Sequence, residues 1–174
     1  MNLAFNYILN ISLNSLKSVN IKKNDLIPTK WQLLLMNDGS FTQNLNSLTG
    51  EQIITFPTYI ENQYIIKKLK IRNIYLSNNS NKYLAFARSN WILQINHKIH
   101  NNLINNQPIG ELFINRQADI YKDIHEIYCV YSTYLEYTFK SIGPIWGRKY
   151  TIYYRYQPII TIQEFFSPYL INFF

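Results

Sequence analysis

Glu164 stands where a carboxylate is costly. It lies in the alternating run Ile159-Ile160-Thr161-Ile162-Gln163-Glu164-Phe165-Phe166, and the two-residue period of a strand puts Ile160, Ile162, Glu164 and Phe166 on one face. The rest of that face is apolar. If it packs inward, an unpaired charge there is strongly unfavourable, so the residue requires a cation, a proton or a ligand. Arg72 is the natural counterpart, because alternation sets it beside Ile74 and Leu76, again in apolar company. Two outcomes stay open at this point. The charges could form a buried ion pair that fixes packing. Alternatively, a closed pocket could hold a substrate carboxylate bidentately on the guanidinium while the glutamate handles a hydroxyl or a proton.

Other chemistry finds less support. His97, His100 and His125 show no HExxH spacing or other metal-ligand grouping, so no metal centre is expected. Cys129 sits in an apolar, aromatic run without a basic neighbourhood that would favour its thiolate, and reads as a packed thiol. Gly39, Gly110 and Gly147 form neither GxGxxG nor a phosphate-binding loop. Lys67, Lys68 and Lys70 fit a solvated strand edge protected against sheet-to-sheet pairing. Tyr150, Tyr153, Tyr154 and Tyr156 interleave with Arg148, Lys149 and Arg155, but without an RNA-binding signature they read as core packing.

The elements that position Glu164 and Arg72 can be traced along the chain. Residues up to about Lys23 predict a weak helix, with Leu9, Leu13 and Leu16 near helical spacing. Thr29 is placed as the cap of a short helix through Trp31-Gln32-Leu33-Leu34-Leu35-Met36, ended by the Asn37-Asp38-Gly39 turn. Ser40-Phe41-Thr42-Gln43 has the form of a capping box for a second helix that stops at Gly50. The turn between them gathers backbone N–H groups at a helix start, an anion seat in principle. Strands are predicted at Ile53 to Phe56, Leu69 to Leu76 and Tyr83 to Trp91, the last two joined by a hairpin through Ser77-Asn78-Asn79-Ser80-Asn81. A helix is expected within Asn96 to Asn106 and a helical turn near Pro108. Strand-like runs follow at Asp123 to Phe139, Arg148 to Tyr156 and Pro158 to Phe166, with turns at Gly143-Pro144 and Gln157-Pro158. Helices early and consecutive strands late indicate an α+β fold with a largely antiparallel sheet.

Composition bounds the rest. The 174 residues, 47% hydrophobic and 16% aromatic, suffice for one well-filled core and are short for two domains. One cysteine excludes an internal disulfide and suits a reducing compartment. The net charge of +7 and pI near 9.4 favour anionic partners without choosing among metabolites, nucleic acid and headgroups. The first residues, broken by asparagine, are expected to form neither a membrane span nor a transit peptide. Heavy use of Ile, Asn, Lys, Tyr and Phe suits an AT-rich genome such as a plastid's.

Several motifs, in order, resemble the chorismate lyase family, especially its cyanobacterial and algal-plastid branch. They are Trp31-Gln32-Leu33-Leu34-Leu35 followed by Asp38-Gly39-Ser40-Phe41-Thr42; Ile71-Arg72-Asn73-Ile74-Tyr75-Leu76 leading into Ala87-Arg88-Ser89; Pro108-Ile109-Gly110; and Trp146-Gly147-Arg148-Lys149 with Pro158-Ile159-Ile160-Thr161-Ile162-Gln163-Glu164. The resemblance runs from about Trp31 to Pro168. It implies a family domain over residues 31–174 preceded by a weakly helical extension, residues 1–30. It also implies helices covering one side and the edges of an antiparallel sheet around an internal cavity.

The activity implied is conversion of chorismate to 4-hydroxybenzoate and pyruvate, for quinone-ring synthesis, with no metal and no organic cofactor. Carried over by position, Arg72 binds the ring carboxylate, Glu164 faces the ring hydroxyl, and backbone N–H groups near Phe41 and Ile109 complete the carboxylate seat. Phe41 departs from the pattern, standing where the bacterial enzymes carry a flexible methionine. The implied partner is chorismate alone, with neither nucleic acid nor membrane, and the chain is expected to be a monomer in a plastid stroma, or in the cytoplasm if cyanobacterial. Ligand-sensing domains of some bacterial transcription regulators share this fold, so a non-catalytic binder of small aromatic acids is the alternative. A basic nucleic-acid-associated protein is a third possibility, resting on charge and aromatic content alone.

Overall fold

Seven strands, all paired antiparallel, make one sheet in the order β1-β5-β6-β7-β4-β3-β2. The computed structural model describes residues 4–13, 26–58, 69–92, 109–110, 113, 117 and 119–174. The strands are β1 (Asn6–Ser12), β2 (Ile54–Pro57), β3 (Leu69–Ser77), β4 (Tyr83–Ile92), β5 (Ile120–Tyr131), β6 (Ile145–Tyr154) and β7 (Gln157–Phe166). Helices α1 (Thr29–Leu35) and α2 (Phe41–Thr49) follow β1, α3 (Thr133–Phe139) follows β5, and a 3-10 helix, Pro168–Phe173, ends the chain. This is the α+β, single-domain, antiparallel architecture expected from the sequence.

The two faces of the sheet bury separate cores, as alternation requires of strands covered on both sides. On one face Ile74, Leu76, Ala87, Ile160, Ile162 and Phe166 meet Trp31, Leu34 and Leu35 of α1 and Phe41 and Leu45 of α2. On the other, Tyr75, Phe86, Tyr128, Val130, Ile145 and Phe165 meet Leu135 and Phe139 of α3. The start of α2 is as the sequence predicts: the Ser40 hydroxyl accepts from the Gln43 N–H at 3.5 Å, and Gly50 ends the helix with φ 68°, a left-handed conformation that a side chain would resist.

Four expectations are corrected. The N-terminal segment is not helical over residues 6–12 but forms β1, an edge strand paired with β5. Its Leu9 and Leu13 have helical spacing, yet the backbone is taken by the free edge of β5. The run Asp123 to Phe139 is a strand only to Tyr131; α3 follows, with Leu135 and Phe139 one turn apart and buried. Burial of that pair outweighs the strand preference of its Tyr, Thr and Phe residues. Thr29 opens α1 rather than capping it, and Pro28 holds the cap position without a side-chain bond.

The β6–β7 turn lies at Arg155 and Tyr156, not Gln157-Pro158. Both residues have positive φ, 49° and 62°, as a two-residue hairpin turn demands. The helix expected within Asn96 to Asn106 falls outside the described residues; Ile109 and Gly110, by Pro108, are helical.

Candidate functional site

A cavity of about 260 Å³ lies between the sheet and the α1–α2 connection, just under the roughly 300–1,000 Å³ typical of sites for drug-sized ligands. Its floor comes from five adjacent strands: Ile74 and Leu76 of β3, Ala87 and Ser89 of β4, Ile162 and Glu164 of β7, Tyr150 and Ile152 of β6, Ile120 and Lys122 of β5. Residues 38–42 and Ile109 with Gly110 form the opposite wall. Gly110 permits this closure, because a Cβ there would come within 2.6 Å of the Ser40 hydroxyl oxygen.

Glu164 is 5% exposed and Arg148 0%. The two residues are direct partners across β6 and β7, and Arg148 Nε donates to Glu164 Oε2 at 2.8 Å. The Tyr150 hydroxyl donates to Oε1, also at 2.8 Å. A carboxylate offers roughly four acceptor positions, so after these bonds Glu164 can still accept from a ligand hydroxyl. The counter-ion of Glu164 is therefore Arg148 and not Arg72, which corrects the expected pairing. Arg148 is one strand away, whereas β4 separates Arg72 from β7.

Arg148 does more than balance charge. Its Nη1 donates to the carbonyl oxygens of Leu34, Leu35 and Asn37 at 2.9, 3.2 and 2.9 Å. The last turn of α1 has no basic residue of its own, and Arg148 supplies the donors and positive charge that a helix end favours. Burial by itself would depress the guanidinium pKa, but the Glu164 carboxylate and the Tyr150 oxygen overcome it and the pKa is raised. Burial, followed by the negative charge of Glu164, holds the Tyr150 phenol well above its ordinary value, so it remains a donor.

Lys122 closes the same region. Its ammonium donates to the Gly39 carbonyl at 2.8 Å and the Asn37 carbonyl at 3.3 Å and lies 4.8 Å from the Tyr150 ring centroid. Burial and then the neighbouring Arg148 charge lower its pKa to about 8, against the pull of Glu164 and Asp38.

Arg72 lies in the β3 register opposite Ser89, which in turn lies opposite Ile162. It shares the sheet face of Ile74 and Glu164, is half-buried, and has its pKa lowered by that burial. It is not among the lining residues, although its row partner Ser89 and its neighbour Ile74 are. Two strand spacings and a two-residue offset place its Cα roughly 12 Å from that of Glu164. Phe41 and Ile109 both line the cavity with Glu164, and the Phe41 ring packs 4.7 Å from that of Phe166.

The strands bearing the charges are also fixed from behind. The Tyr128 hydroxyl lies 2.9 Å from the Arg148 carbonyl oxygen and 3.2 Å from that of Glu164, and its ring occupies the space that a side chain on Gly147 would fill. Elsewhere, among the described residues no three His, Cys, Asp or Glu side chains are grouped to hold a metal. His125 bonds Thr151 at 2.8 Å. Cys129 is buried, and burial raises its thiol pKa. No described helix is long and apolar enough to cross a membrane.

Sequence reasoning passed over Arg148, Tyr150 and Lys122. The signal was present: Trp146, Arg148, Tyr150 and Ile152 alternate on one face, as do Ile120, Lys122 and Ile124. The test that singled out Glu164 applies equally to a cation set in an apolar row.

The chain is 46% identical to the ycf21 protein of Antithamnion sp. over 173 residues, covering 97% of this chain and 93% of the relative. It is 37% identical to ycf21 of Porphyra purpurea over 176 residues, covering 98% and 99%. These relatives are plastid-genome proteins. Among solved structures, the effector domain of PhnF from Mycobacterium smegmatis superposes with a TM-score of 0.55 at 7% identity, over 77% of this chain and 91% of that one, a likeness of fold. The sequence pattern of the family described as "Chorismate pyruvate-lyase Rv2949c-like" matches residues 35–174, most of the chain, and the protein belongs to that family.

Proposed function

We propose that this protein eliminates pyruvate from chorismate to give 4-hydroxybenzoate, in the plastid stroma. The observation that carries the reading is a single buried carboxylate with spare acceptor capacity, Glu164, on the floor of an otherwise largely apolar cavity of a size for a small aromatic acid, in a chain of this family.

The reaction asks little of the protein beyond orientation and polarisation. The ring carbon bearing the hydroxyl loses its hydrogen, the bond from the neighbouring carbon to the enolpyruvyl oxygen breaks, and the ring becomes aromatic. The departing enolpyruvate takes a proton at its methylene carbon and becomes pyruvate. Arg72 holds the ring carboxylate and draws electron density toward it, with backbone N–H groups near Phe41 and Ile109 completing that seat. Glu164 accepts a hydrogen bond from the ring hydroxyl or the proton at the hydroxyl-bearing carbon, whose bonding pair forms the new ring double bond as the carbon–oxygen bond breaks. The surrounding Ile74, Leu76, Ile152 and Ile162 keep water out, which strengthens both interactions. Incubation of purified protein with chorismate, followed by chromatography for 4-hydroxybenzoate and pyruvate, tests the reading; product no faster than the uncatalysed background defeats it.

A second reading draws on the bonds Glu164 already makes. Both its oxygens have a protein donor, an arrangement that suits a structural ion pair under a pocket that binds aromatic acids without transforming them. Calorimetry showing 4-hydroxybenzoate binding with no turnover of chorismate favours it.

A further inference from the structure

Beneath the surface, two cations stand by the cavity against one buried carboxylate. Arg148 Nη1 and Lys122 Nζ converge on one acceptor, the Asn37 carbonyl oxygen, at 2.9 and 3.3 Å. The buried carboxylate beside these two cations is Glu164, already ion-paired with Arg148. Asp38, also on the cavity wall, is exposed to solvent. Two donor groups are left over: Arg148 Nη2 is buried with no hydrogen-bond partner among the described residues, and the Lys122 ammonium has three N–H groups but two acceptors. Lys122 is also the one cationic side chain among the described residues lining the cavity. A half-buried cation facing unfilled space is compensated most effectively by an anion.

We infer that Lys122 forms a second anion seat that takes the side-chain carboxylate of a dicarboxylate substrate. This rests on the lyase reading and deepens it. Chorismate carries two carboxylates and 4-hydroxybenzoate one, so a second seat separates substrate from aromatic product. Arg72 lies on β3 and Lys122 on β5, to either side of β7 and Glu164 in the sheet order. A ligand with its hydroxyl at Glu164 and one carboxylate directed to each flank matches that order of charges.

The test compares binding of two unreactive probes by calorimetry: 4-hydroxybenzoate, with one carboxylate, and 3-(carboxymethoxy)-4-hydroxybenzoate, with two. The native protein is expected to prefer the dicarboxylate by roughly 10-fold or more, the value of one charge-assisted hydrogen bond. Lys122→Met removes the preference and leaves 4-hydroxybenzoate affinity within about twofold, while Lys122→Arg keeps it. A preference that survives Lys122→Met overturns the inference, as does equal loss of both affinities, which would mean that Lys122 only holds the turn at Gly39.

If Lys122→Met does not fold, the native protein carries the test. The groups around Lys122 are Arg148, Glu164, Asp38 and Tyr150; its own ammonium loses its charge near pH 8, so the preference should fade as pH rises through and above that value. A preference unchanged there refutes the seat. Turnover of chorismate is read separately. Preference without turnover removes the lyase reading and keeps the seat; turnover without preference does the reverse.

Discussion

Arg148 and Glu164 face each other across neighbouring strands and close a 2.8 Å ion pair that is almost wholly shielded from water. Both charges have been taken out of solvent, so the pair is costly to break from one side only. Arg148→Met leaves Glu164 without its counter-ion and α1 without donors at its last carbonyls. The expected loss is about 3–5 kcal/mol, read as a lower urea midpoint at unchanged slope. A midpoint close to native would mean that the pair contributes little.

Glu164→Gln keeps the volume but offers one carbonyl oxygen where the native residue receives two donors. Either Arg148 or Tyr150 then meets an amide N–H in place of an acceptor, with an expected cost of about 1–3 kcal/mol. Under the lyase reading, chorismate turnover falls by at least roughly 100-fold, measured on protein shown to be folded. Undiminished turnover removes Glu164 from the mechanism.

Arg72→Gln removes a charge from the flank of the cavity and keeps a polar group on a shorter stem. If Arg72 seats the ring carboxylate, 4-hydroxybenzoate affinity drops by about 10-fold or more, as calorimetry on the native and variant proteins would record. Equal affinities assign the carboxylate to other groups.

Gly147→Ala tests the support behind the site. A methyl group there collides with the Tyr128 ring and the Glu164 carbonyl oxygen, one of them backbone, so neither neighbour yields easily. Destabilisation of about 1–3 kcal/mol or more is expected, and a native melting temperature would contradict the packing described.

Lys122 gives a signed pH dependence. Its folded pKa of about 8 lies below the ordinary 10.5, so between those values the unfolded chain binds more protons and stability rises with pH. Below about pH 8 both states are protonated and the penalty is constant. The native protein should therefore gain stability relative to Lys122→Met as pH increases from about 8 to about 10.5. Taking the difference cancels the tyrosines common to both proteins. A flat or falling difference across that window contradicts the burial of the ammonium.

The sequence revealed the sheet where strands are covered on both faces, because apolar and β-branched runs there have little alternative to pairing. It failed at β1, which lies at the edge with most of its residues exposed, so no alternation marks it. It failed at α3 because two buried side chains decide against seven residues of mixed preference. Glu164 was legible as an acid in an apolar row; its partner was not, because pairing depends on the turn. A turn centred on Gln157-Pro158 sets Thr151 opposite Glu164, whereas the Arg155-Tyr156 turn, together with the one-residue register shift between Ile152 and Tyr153, brings Arg148 there. A turn displaced by two residues and a one-residue bulge thus concealed the central ion pair, while Arg72, correctly placed on the shared face, took its role.

Three carbonyl bonds from one nitrogen of Arg148 tie the end of α1 to the same guanidinium that neutralises Glu164. The group is rigid and planar, so it cannot turn toward one neighbour without easing its hold on the other. Whatever quenches the acid beneath the cavity also slackens the helix above it, and the two ends of the chamber answer to a single lever.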